Sequence, residues 1–327
     1  MQSLWEDGYI TLYLKFRIFW KRKEASMYDT VKFCLNYLEE EKRYLLSNFN
    51  FQLDTSVHYE CWSYQLDNLI IKIHTSSITI EGSLAKFYYG ENLHLLGREE
   101  IKQAIDLLSG ILQLDINSAY VTRIDIAATF EMSHNAKCYY PFLGGCARRK
   151  KNLDYETSRY YNSKGEKNSQ SFLFYDKGNQ LREEESSLLR FECKWNGRLR
   201  KQLKYNMPIT AATLSDPGFY RHIVLLWKTK YFNIEKINIP VYDPNICNTA
   251  SRALKFLTSY LLKSISEKER MDIIEFLKNG LNVQERCRFN KGLKELFGDS
   301  SMTKEEPLIT ELNYKIRMHV LLELGIL

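Results

Sequence analysis

The chain has 327 residues and a mass of 38.7 kDa, is 44% hydrophobic and 26% charged, and holds 15 Gly and 6 Pro. That excludes a collagen-like or linker-dominated polypeptide and leaves a folded one, long enough for two domains. The formal net charge of +6 is uneven, because sixteen Lys and Arg against eight Asp and Glu fall between Asn135 and Tyr205, an electrostatic footprint for a polyanion.

Seven cysteines, odd in number and without a C-x-x-C pair, argue against a disulfide framework or a zinc knuckle and for reduced thiols in a cytosol. No run of 18 apolar residues exists, and Tyr9 to Trp20 is interrupted by Lys15 and Arg17, so no membrane partner and no export signal is expected. The expected location is cytoplasmic.

In chain order, residues 1–26 show no clean period and are expected to be an extension, with Met27 a candidate start. Met27 to Phe33 alternates as a first strand does. His58 to Trp62, Leu69 to Lys72 and Ser77 to Glu81 are short runs of aromatic and β-branched residues set between turn residues, the pattern of a β-meander. From Arg98 to Leu114 the apolar residues fall on one helical stripe, with acidic residues in the first turn where the helix dipole favours them. Ala119 to Thr129 reads as a strand, followed by a helical and basic stretch. Ser158 to Asn162 and Ser171 to Asp176 then form a hairpin, and Leu188 to Trp195 is a last strand. Helical spacing dominates from about Pro208. The expected fold is therefore α+β: an antiparallel sheet-based domain over 27–207, with helices packed on one face, followed by an all-helical C-terminal region over 208–327.

Three carboxylates stand in apolar strand contexts: Glu81, Asp125 and Glu192. A buried carboxylate must be protonated, paired or metal-bound. Arg123 and Arg190 each lie two residues before an acid and share its strand face, so one reading is a pair of salt bridges. The other is three acidic oxygens converging on a hard divalent ion, Mg²⁺ or Mn²⁺. Alternation puts Tyr175 and Lys177 on one face, and a cation beside a phenol favours phenolate. Tyr160 and Tyr161 compete with Tyr175 for the same role. No phosphate-binding glycine loop, no H-x-H and no H-E-x-x-H occurs, which weakens nucleotide hydrolysis and histidine-held metal. Arg148, Arg149, Lys150 and Lys151, then Arg198, Arg200, Lys201 and Lys204, are candidates for tracking a DNA backbone. Glu285 to Lys294 is a basic helix, read as solvated surface or as a second DNA contact.

The series Glu81-Gly82-Ser83-Leu84-Ala85-Lys86-Phe87 with Gly90-Glu91-Asn92-Leu93, Thr122-Arg123-Ile124-Asp125, Phe174-Tyr175-Asp176-Lys177 and Leu189-Arg190-Phe191-Glu192 resembles, in order and spacing, the replication initiators of the filamentous-phage gene II and gene X type. The resemblance runs from about Met27 to Tyr231. It implies a site-specific DNA endonuclease and ligase that starts rolling-circle replication by nicking one strand at an origin, with Tyr175 at the position of the family's nucleophile. Origin DNA and single-stranded DNA would be its partners, with the host helicase and polymerase acting downstream. Metal ligation by Glu81, Asp125 and Glu192 is inferred from the strand pattern, and catalytic support from Lys177, Arg123 and Arg190 from charge. An origin-binding protein without catalysis is the alternative.

Overall fold

The computed structural model describes residues 26–91, 93–147, 149–155, 158–163, 170–180, 187–240, 248–265, 267–298 and 303–326. The expected extension over 1–26 thus falls, but for residue 26, outside the described residues. Two compact units are present, one of Met1–Glu235 with Glu311–Leu327, the other of Lys236–Thr310.

The first unit is built on a ten-stranded sheet. Its early strands are β1 (Tyr28–Leu35), β2 (Gln52–Leu53), β3 (Trp62–Leu66), β4 (Leu69–Ile73) and β5 (Ile78–Ser83), with helix α1 (Glu39–Asn48) after β1. Two helices follow, α2 (Leu84–Tyr89) and α3 (Arg98–Leu112), and then the long strand β6 (Tyr120–Glu131). The stretch expected to be helical before residue 158 instead holds short 3₁₀ turns and two strands, β7 (Leu143–Cys146) and β8 (Arg149–Tyr155). β8 pairs with β9 (Ser158–Ser163), which pairs with β10 (Ser171–Asp176). Basic residues in β8 mimic a helical surface because an edge strand tolerates charge. The short helix α4 (Lys177–Gln180), strand β11 (Leu188–Asn196) and helix α5 (Leu199–Leu203) precede α6 (Pro217–Phe232) and a strand at Ile234–Lys236, β12.

The order in the large sheet is β2-β3-β4-β5-β1-β6-β11-β10-β9-β8, antiparallel throughout. Two meanders thus flank the central pair β1 and β6. Alternation separates the faces. On β11, Phe191, Cys193 and Trp195 are fully buried on one side, while Arg190, Glu192 and Lys194 point to the other. Helix α6 covers the apolar side: Trp227 meets Phe191 at 5.0 Å between ring centroids, and Tyr231 meets Phe174 at 6.2 Å.

The compact unit does not end at residue 207. It runs on through α6 and takes in the chain's return from Glu311, because the sheet's apolar face needs these aromatic and aliphatic side chains as cover. The last helix, α10 (Pro307–Glu323), buries Leu312, Ile316 and Val320. The second unit holds a strand pair, β13 (Ile239–Pro240) with β14 (Thr303–Lys304), and three helices, α7 (Ala250–Ser264), α8 (Glu267–Asn279) and α9 (Val283–Gly298). Within α9, Arg288 pairs with Glu285 on an exposed surface. Among the described residues no helix is long and apolar enough to cross a membrane.

Candidate active site

The polar face of the sheet gathers charge along β5, β1, β6, β11 and β10. Lys32 on β1 stands opposite Glu81 on one side and Arg123 on the other, and Asp125 stands opposite Lys194. Arg123 bridges two acids. It donates through Nη1 to Glu81 at 2.8 Å and through Nε and Nη2 to the two oxygens of Asp125 at 3.1 and 2.6 Å. Lys32 Nζ holds the other oxygen of Glu81 at 2.9 Å. Burial acts to raise Glu81, but the hydrogen bonds from Lys32 and Arg123 outweigh it and hold the acid below its usual range.

Glu192 does not pair with Arg190, although both project from β11 on one face. Its Oε1 meets Lys194 Nζ at 3.1 Å, and its Oε2 accepts the Tyr175 hydroxyl at 3.0 Å. Tyr175 lies opposite Arg190, two residues from Glu192 in the ladder, which is why the phenol reaches diagonally to that carboxylate. Burial acts to lower Lys194, but Glu192 and Asp125 keep it above its ordinary value. Asp125 is 1% exposed, and burial pushes its carboxyl upward, with the Glu192 charge adding to the push against Arg123.

Arg190 is fully buried and spends its guanidinium on the fold. Nε donates to Thr129 at 2.7 Å, Nη1 to Asp29 at 3.3 Å and Nη2 to the Leu93 carbonyl at 3.0 Å. Ser83 donates to the other Asp29 oxygen at 2.7 Å and accepts from Lys86 N at 3.2 Å, capping α2. Gly90 closes that helix with φ of 80°, a conformation open to glycine, and its N–H bonds the Lys86 carbonyl. Ser83, through Asp29, and the Leu93 carbonyl therefore build the support for Arg190. These contacts tie Arg190 to Asp29, Thr129 and the Leu93 carbonyl.

Burial works against the expected help of Lys177 to the ionisation of Tyr175. Tyr175 is 7% exposed, and burial, with Glu192 beside it, raises the phenol well above its ordinary value. Lys177 begins α4 with Nζ 6.0 Å from the Tyr175 ring centroid, and burial together with the Arg190 charge pulls it down to about 8. A proton on Tyr175 must leave through an acceptor, and Glu192 is in contact with it.

Among the described residues no three or more His, Cys, Asp and Glu come together as a group that could hold a metal ion. Arg123 takes one oxygen of Glu81 and both of Asp125, so as arranged the three acids do not fit a three-carboxylate centre. Asp125 and Glu192, on adjacent strands, remain close enough for one charge to raise the other's proton affinity.

The family of replication-associated proteins defined by the N-terminal domain of the phage gene II protein matches residues 27–215. The chain belongs to this family. That bears out the reading of a phage or plasmid replication initiator from the four motifs in series. Among solved structures, the rolling circle replication initiator protein from Geobacillus stearothermophilus is similar at 14% identity and a TM-score of 0.39, over 67% of this chain and 88% of that one. A likeness so remote transfers no residue roles. No curated protein matches the chain.

In this chain of the gene II type, Tyr160 stands opposite Leu173 and so shares the face of Tyr175, whereas Tyr161 is fully buried with its hydroxyl on the Gly144 carbonyl at 3.0 Å. Arg148 lies outside the described residues. Arg149, Lys150 and Lys151 fall on β8, the edge strand, where only the backbone is described. Arg198, Arg200, Lys201 and Lys204 lie around α5, and all four are exposed. The sequence reading missed Asp29, Lys32 and Lys194. The two lysines were within reach, because each shares a strand face with a site acid or stands opposite one. Asp29 gave no signal before the fold was known.

Proposed function

We propose that this chain nicks and rejoins one DNA strand at an origin of rolling-circle replication, through a tyrosyl phosphodiester on Tyr175. The observation that carries the reading is the Tyr175 hydroxyl donating to Glu192 at 3.0 Å inside a charged sheet face, in a chain of the gene II family. In the forward step the phenol proton passes to the Glu192 carboxylate as the phenolic oxygen bonds the scissile phosphorus. The P–O3′ bond breaks, the 3′ oxygen leaves and takes up a proton, and the 5′ phosphate stays on Tyr175. Reversal rejoins the strand without a nucleotide cofactor, since the phosphodiester energy is held in the tyrosyl link. Lys177 and Lys194 supply positive charge beside the reacting atoms. Arg123 orients Asp125, and Arg190 locks β11 against Asp29.

A divalent ion, Mg²⁺ or Mn²⁺, would be held by Asp125 and Glu192 only once Arg123 and Lys194 release their oxygens, and would then polarise phosphate oxygens. The basic residues Arg198, Arg200, Lys201 and Lys204 would contact the DNA backbone, with β8 as a second basic edge. Host helicase and polymerase would then act on the exposed strand and the free 3′ end.

The test is incubation of the full chain with a supercoiled plasmid carrying the origin, with and without Mg²⁺ or chelator. Open circles with covalently bound protein are expected, and none with Tyr175→Phe. A Tyr175→Phe variant that still forms the adduct assigns the nucleophile elsewhere. The second reading, an origin-binding protein without catalysis, draws on the burial of Tyr175 and its raised proton affinity. It predicts salt-sensitive binding, no adduct, and indifference to Tyr175 and to metal.

A further inference from the structure

At the N-terminal end of β6 the chain forms a surface cavity of about 610 Å³, within the size range of small-ligand sites. Arg198, Arg200 and Lys201 line it, all exposed, and no acidic residue is among its lining residues. Its floor is apolar, made by Val121, Leu199 and Ile209. Two tyrosines complete it. Tyr120 is 59% exposed, and the Tyr205 ring is fixed at 5.1 Å from Phe219 and 5.8 Å from His222.

The walls are hydrogen-bonded to the sheet and locally strained. Arg198 and Lys204, at either end of α5, take φ values of 34° and 53°, which non-glycine residues rarely adopt and which are retained where the surroundings fix them. Gly197 N bonds the Thr122 carbonyl at 2.8 Å, the Gln202 amide holds the Asn196 and Gly197 carbonyls at 2.7 Å each, and Val121 N bonds the Ile209 carbonyl at 2.9 Å. Three cations thus line the cavity with an apolar floor and an exposed phenol ring, the Arg200 guanidinium also donating to the Asn206 carbonyl. Among the described residues no acid pairs with these cations, so they select an anion, and an exposed ring beside them offers a stacking surface. A nucleobase with its phosphate meets both demands at once.

The geometry points to this cavity as a subsite for one unpaired nucleotide of the DNA, its base against Tyr120 and its phosphate on Arg198, Arg200 and Lys201. The inference rests on the DNA-nicking reading and deepens it. Tyr175 lies level with Arg190 and Thr129, and Tyr120 stands nine residues earlier on β6, about 30 Å away at ~3.3 Å per residue. A single strand held there would run along the charged face past Arg123 and Asp125 to Tyr175.

The experiment is fluorescence anisotropy of the full chain with a labelled single-stranded 12-mer, the blunt duplex of the same sequence, and dTMP or inorganic phosphate as competitors. Tyr120→Ala should weaken single-strand binding by roughly tenfold or more, with Tyr120→Phe restoring it and duplex affinity unchanged. Arg198→Ala should lower the salt slope by about one. Equal loss on duplex and single strand, or no loss in Tyr120→Ala, overturns the subsite. Competition by dTMP or phosphate alone at concentrations that match the oligonucleotide also overturns it, in favour of a free-ligand site. Adduct formation by Tyr175 is followed separately, so the subsite and the nicking reading can each fail without the other.

Discussion

If Tyr175 is the nucleophile proposed above, Glu192 decides whether its buried phenol can act. With the phenol raised well above its ordinary value, free phenolate is scarce at neutral pH, so the proton must move as the phosphorus is attacked. Glu192→Gln keeps the shape of the acceptor and removes its basicity. Adduct formation should fall by roughly 10²–10⁴-fold, measured in single turnover on a labelled oligonucleotide. Lys177 adds a pH signature. Burial and Arg190 bring it down to about 8, so its cation is present below that pH and is lost as pH rises through it. The nicking rate should therefore fall above a pH of about 8 in the natural chain. Lys177→Met should be slower throughout and lose that edge, and a variant that kept it would assign the titration to another group.

At the scale of elements, the hairpin of β4 and β5 positions Glu81, and Gly82 is what lets the hairpin close. A Cβ at residue 82 would lie 2.5 Å from the Asn68 carbonyl oxygen and 3.1 Å from the Leu69 Cα, both backbone atoms that cannot swing aside. Gly82→Ala should cost about 1–3 kcal/mol in urea denaturation and should weaken activity further, because Glu81 and Ser83 flank it. An unchanged midpoint would show that β4 gives way easily. The alternation of strand residues disclosed the central elements well: β4, β5, β9, β10 and β11 lie where periodicity put them, with Glu81, Asp125, Glu192 and Tyr175 on one face. Partner choice was not legible. Arg190 and Glu192 are adjacent on their face, yet Arg190 turns to Asp29, a residue distant in sequence and brought in by β1. Strand β8 was misread because its charge follows from its edge position, which local sequence does not encode. The partners of the three acids were hidden by the same limit, since Arg123 sits between Glu81 and Asp125 and only the register shows it.

At the scale of the whole molecule, the family match ends at residue 215 while the fold does not. Trp227 and Tyr231 are fully buried, and truncations of such residues in a core cost about 3–5 kcal/mol each. The returning helix α10 adds Leu312, Ile316 and Val320, each at most 2% exposed, together with an edge contact of His319 on Phe130 at 5.6 Å. Exposing three such aliphatic side chains costs about 1.5–3 kcal/mol apiece, a sum comparable to the ~5–15 kcal/mol that holds a typical domain folded. Polar contacts fix the seat of the helix: Glu311 accepts from the Tyr139 hydroxyl at 2.5 Å and from Ser133 N at 2.9 Å, and Tyr231 donates to Asn313 at 2.7 Å. A fragment of residues 26–235 should therefore melt without a cooperative transition. Adding a peptide of residues 307–327 in excess should restore a sigmoidal denaturation curve and the dispersed amide spectrum of a packed core. A fragment ending at 235 with the same urea midpoint as the full chain would show that α10 decorates the core, whereas its loss with rescue by the peptide makes the last helix part of the machinery that holds the charged sheet face in shape.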